Sequence, residues 1–90
     1  MGVETVLFKS EEKKNAAEIA ATLRLIADKI EAGSLTLKRG DQQLEIEFPG
    51  QMVLELKCEE KQGRKTKRTL EIELEWVPGE APGDEQTVIE

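Results

Sequence analysis

The 90-residue chain has no histidine and no tyrosine, and it carries one cysteine, one tryptophan and three prolines. Without histidine there is no imidazole to move protons near neutral pH and no Cys/His cage for a metal. A single cysteine rules out an internal disulfide framework. No segment approaches the roughly 18 apolar residues that a membrane span needs. The opening Met1-Gly2-Val3-Glu4-Thr5-Val6 has neither the basic stretch nor the apolar run of an export signal. A cytoplasmic location is therefore expected, and Cys58, a thiol without a local partner, fits a reducing compartment. No metal, cofactor or membrane contact is expected.

What the chain does have is charge. Thirteen basic and 19 acidic side chains give a net charge of −6, which favours solubility and opposes general attraction to nucleic acid or anionic lipid. Its length supports one small core rather than two.

Asn15-Ala16-Ala17-Glu18 has the spacing of a capping box, so a helix is expected to begin at Ala16. From there Ala16, Ile19, Ala20, Leu23, Ile26, Ala27 and Ile30 recur at three- and four-residue steps, forming one apolar stripe. Gly33 supplies the left-handed residue that ends the helix. Beyond it the period changes to two. Leu35 and Leu37, then Leu44, Ile46 and Phe48, then Met52, Leu54, Leu56 and Cys58, then Leu70, Ile72, Leu74 and Trp76 mark four half-buried strands. An earlier segment, Val3 to Phe8, is β-prone but has apolar residues on both faces, so its place at either edge of a sheet stays open.

Inward residues must oppose inward residues, which fixes the hairpin registers. A two-residue Gly40-Asp41 turn sets Leu37 opposite Leu44 and Leu35 opposite Ile46. A Pro49-Gly50-Gln51 loop would set Phe48 opposite Met52 and Ile46 opposite Leu54. A five-residue loop, Gln62 to Thr66, sets Cys58 opposite Leu70, Leu56 opposite Ile72, Leu54 opposite Leu74 and Met52 opposite Trp76. The same register brings Lys57 to Glu71 on the outer face. The expected fold is α+β: one helix packed across a mainly antiparallel sheet of four to five strands, in the order β-α-β-β-β-β. Residues 1–76 form this single domain, with Asn15, Gly33 and Trp76 in structural roles. Trp76 is expected to act as an apolar lid and Cys58 as a buried thiol. Residues 77–90, with four acidic side chains and no basic one, are expected to be a flexible acidic tail.

Glu4-Thr5-Val6-Leu7-Phe8-Lys9-Ser10, the helical Leu23-Arg24-Leu25-Ile26-Ala27-Asp28-Lys29-Ile30-Glu31-Ala32-Gly33 and the closing Leu70-Glu71-Ile72-Glu73-Leu74-Glu75-Trp76 follow one another in this order. Together they resemble the amphi-Trp domain family, small prokaryotic proteins named for an amphipathic strand that ends in tryptophan. The resemblance spans residues 4–76. It implies a fold and a cellular setting, and it carries over no catalytic or binding residue.

Two surface features remain as candidate sites. Around the last hairpin, Lys57, Lys61, Arg64, Lys65, Lys67 and Arg68 outweigh Glu59 and Glu60 to give +4, against −10 for the rest of the chain. Such a basic tip could contact phosphate or RNA through Lys61, Arg64, Lys65, Lys67 and Arg68, with Arg64 and Arg68 as anchors. Nucleic acid is nonetheless disfavoured, because no aromatic interleaves these bases and the acidic body repels a polyanion. Glu45, Glu47, Glu55, Glu71, Glu73 and Glu75 line the outer sheet face, with Glu55 expected to face both Glu45 and Glu73. An open strand face lacks the loop carbonyls of a calcium site, so a partner's basic surface suits it better than a metal. The expectation is a non-enzymatic protein-interaction module that binds a protein partner, or a second copy of itself, through a sheet edge or this charged face. The alternative is a nucleic-acid accessory protein using the basic tip at residues 57–68.

Overall fold

In a computed structural model the described residues are 2–79. The expected acidic tail lies, from residue 80 onward, outside them. The elements are α1 (Ala16–Ala32), β1 (Ser34–Arg39), β2 (Gln42–Glu47), β3 (Val53–Lys61) and β4 (Lys67–Glu75), an α+β content as expected. By its internal contacts the chain divides into two compact units, Met1–Phe48 and Pro49–Glu90.

The first unit is built on α1. Asn15 is extended, with ψ 167°, and its Oδ1 accepts from the Glu18 amide at 2.8 Å. The Glu18 carboxylate accepts in return from the Asn15 amide at 3.3 Å, so two donors that the first turn cannot pair internally are satisfied. The acidic Glu18 in the first turn and Lys29 in the last complement the helix dipole. At the other end Gly33 has φ 99°, and its amide donates to the carbonyls of Lys29 and Ile30. A left-handed residue there turns the chain directly into β1.

β1 and β2 pair antiparallel in the register expected from parity, Leu35 with Ile46 and Leu37 with Leu44. Gly40, with φ 57°, opens their two-residue turn. A further bond from the Phe48 amide to the Gly33 carbonyl (2.9 Å) extends the pairing. α1 packs against β1. Ile26 and Ile30, near the Gly33 turn, are half-buried, whereas Ile19 and Leu23, earlier on the same stripe, stay 47% and 44% exposed.

The second unit is a hairpin of β3 and β4, nine residues each, paired without interruption from Val53–Glu75 to Lys61–Lys67. Cys58–Leu70, Leu56–Ile72, Leu54–Leu74 and Lys57–Glu71 are opposed as the five-residue loop requires.

Three expectations need correction. Residues 3–8 form no strand; Val3, Val6 and Leu7 are exposed and only Phe8 is half-buried, because an apolar segment becomes a strand by packing on a neighbour rather than by propensity. The strands form two two-stranded sheets, β1-β2 and β3-β4, where one meander was expected. Parity is satisfied within each hairpin separately. Finally, no side chain of the described residues is buried: Cys58 is exposed and Trp76 only half-buried.

Candidate functional site: the β3–β4 hairpin

Strand alternation divides the hairpin into two faces. One carries Leu54, Leu56 and Cys58 on β3 with Leu70, Ile72 and Leu74 on β4. On it Leu54 is 57% exposed, Leu56 66%, Leu70 71% and Ile72 52%. Covering each of these would contribute on the order of 1 kcal/mol. A lone two-stranded hairpin is marginal in water, and stability comes from a third strand or a packed layer. The apolar face is thus a demand for a neighbour.

The tip end of that face is closed by an ion pair the sequence reading did not assign. Arg68 Nη2 and Nε donate to Glu60 Oε2 at 2.6 and 3.2 Å, and Gln62 Nε2 donates to Glu60 Oε1 at 3.3 Å. The register that places Lys57 opposite Glu71 also places Glu60 opposite Arg68, so the signal was present in the spacing. Arg68, expected as a phosphate anchor, pairs with this carboxylate while its side chain stays 74% exposed.

The other face is charged. Val53, Glu55, Lys57, Glu59 and Lys61 oppose Glu75, Glu73, Glu71, Thr69 and Lys67. Charge is sorted along its length, with carboxylates concentrated at the root and Lys61 and Lys67 side by side at the tip. Glu55 faces Glu73 as expected, and the hydrogen bond and charge of Glu55 hold the Glu73 carboxyl above the usual carboxylate range. Glu45 pairs with Thr36 in the other sheet. Lys57 stands opposite Glu71 but forms its ion pair with Glu59, Nζ to Oε1 2.5 Å; this contact holds the Lys57 ammonium above its ordinary range. Of the expected basic contacts, Lys61 and Lys67 end the two strands and Arg64 and Lys65 lie in the loop. Among the described residues none of these four makes an ion pair.

The hairpin also has two edges. β4 is paired to β3 on one side, and no strand of the described residues lies on its other. It runs nine residues without proline or bulge, the type of edge that pairs readily with another chain.

No helix of the described residues is long and apolar enough to cross a membrane. No curated protein and no solved structure matches the chain. The family model of the Amphi-Trp domain matches residues 1–90, the whole chain. The family whose amphipathic, tryptophan-ended strand the sequence resembles is the one to which this chain belongs.

Proposed function

We propose that the chain is a non-enzymatic protein-interaction module whose binding element is the β3–β4 hairpin, engaged through its open edge and apolar face. The observation that carries this reading is the hairpin's own incompleteness: a regular nine-residue edge strand beside leucine and isoleucine side chains that are 52–71% exposed. Exposed apolar rows flanked by charge are what protein contacts use. The charged face adds selectivity rather than chemistry, since open carboxylates without a pocket exclude no water.

The test is affinity capture by the full-length chain from a lysate of its source cells, with and without nuclease, alongside a Leu70→Lys/Ile72→Lys variant. A protein that is retained after nuclease treatment and lost with the variant is the expected result. Retention of nucleic acid that disappears with nuclease or modest salt would move the function to the basic tip. Equal capture by the variant would remove the hairpin as the binding element.

A further inference from the structure

The charges of β4 are ordered. Lys67 and Arg68 stand at its start, Glu71, Glu73 and Glu75 at its end, and no basic residue follows Arg68 within the strand. A strand with this order is complementary to itself when antiparallel and repels itself when parallel. β3 mixes Glu55, Lys57, Glu59, Glu60 and Lys61, so its edge has no comparable direction.

Register narrows the choice further. To keep Leu70, Ile72 and Leu74 on one face of a joined sheet, apolar positions must oppose same-face positions of the second copy. With the two-fold at Glu71 that residue would face its own copy, and with the two-fold at Ile72 it would face Glu73. With the two-fold at Thr69 or Leu70 no like charges meet, but an axis at Thr69 pairs only residues 67–71 of β4 whereas an axis at Leu70 pairs residues 67–73, the longer ladder. Lys67 then faces Glu73, Thr69 faces Glu71, and Leu70 faces Leu70 of the second copy.

We propose that two copies of this chain pair through the open edges of β4, antiparallel about a two-fold axis at Leu70, so that Lys67 of each copy faces Glu73 of the other. The proposal rests on the interaction reading above and names its partner. The joined sheet has the order β3-β4-β4-β3, which supplies the further strands a hairpin lacks. It also answers two local conflicts. Within one chain Lys67 stands opposite Lys61 and Glu73 opposite Glu55, and each of these crowded charges gains an opposite neighbour across the two-fold.

Sedimentation equilibrium on the purified full-length chain tests this, with Lys67→Glu, Glu73→Lys and an equimolar mixture of the two. Each substitution places an opposite charge beside its intrachain neighbour, Lys61 or Glu55, and therefore suits the hairpin itself. Circular dichroism confirms that both variants are folded. The unaltered chain is expected to dimerise with concentration, each variant to bind itself about tenfold more weakly or worse, and the mixture to recover the original strength as a heterodimer. A chain that stays monomeric up to about 0.5 mM, a complex larger than a dimer, variants that dimerise as before, or a mixture without recovery would each overturn the proposal. A monomeric chain whose capture still depends on the hairpin would leave the interaction reading standing with another partner. A dimer whose capture ignores the hairpin would sink that reading separately.

Discussion

Leu56→Ala measures how open the hairpin face is within a single chain. Leu56 is 66% exposed and its cross-strand neighbour Ile72 52% exposed. Removing three carbons from a fully enclosed site costs about 2.4 kcal/mol at ~0.8 kcal/mol per CH₂, before any cavity is counted. Only about a third of Leu56 is covered and an open surface leaves no cavity, so the loss should be about 0.8 kcal/mol, against ~2–5 kcal/mol for Leu→Ala in a core. For a chain of this size that lowers the midpoint of thermal unfolding by roughly 3–6 °C. Urea unfolding at low micromolar concentration, followed by the fluorescence of Trp76, the sole tryptophan, provides the measurement. Leu35→Ala, at a half-buried position of β1, should cost more and serves as the comparison. A loss of about 2 kcal/mol or more for Leu56→Ala at that dilution would refute the reasoning, because it would mean that one chain encloses the face.

Asn15→Ala removes the side-chain acceptor of the 2.8 Å bond from the Glu18 amide and should cost about 1 kcal/mol, seen as roughly fivefold faster hydrogen exchange at Glu18; Asn15→Ser should restore protection. Gly33→Ala meets no atom within 4 Å, yet φ 99° should still cost about 1 kcal/mol by thermal circular dichroism, with Gly33→Asn recovering part of it. Glu73, with its pKa raised by Glu55, holds its proton more tightly in the hairpin than in the unfolded chain. The stability of that pair therefore falls as pH rises from the ordinary glutamate range through the raised one, and levels off above it. The advantage of Glu73→Gln over the unaltered chain should accordingly be larger near pH 7 than near pH 4 in urea unfolding, and an equal advantage at both would refute the raised Glu73 carboxyl.

Much of the local architecture follows from short-range chemistry. Asn15 and Glu18 three residues apart set the start of α1, Gly33 sets its end, and the two-residue and five-residue loops fix both ladders because a one-residue slip would turn every apolar side chain to the wrong face. The Glu55–Glu73 contact was legible for the same reason. The Glu60–Arg68 pair was equally implied, but reading Arg68 as a charge in a cluster, rather than as one member of a cross-strand couple, hid it.

Long-range questions were answered only by tertiary structure. The apolar run at residues 3–8 has strand composition and no strand, and the parity that organises each hairpin is satisfied whether or not β2 joins β3. Periodicity records which side of an element is apolar and says nothing of what covers it. It predicted a buried Cys58 and an enclosed Trp76, where the structure has an exposed thiol and a half-buried indole. The sequence by itself determined the elements, their caps and their registers, because those depend on residues a few positions apart. That residues 3–8 form no strand was decided only in three dimensions, because a strand there depends on a distant neighbour to pack on.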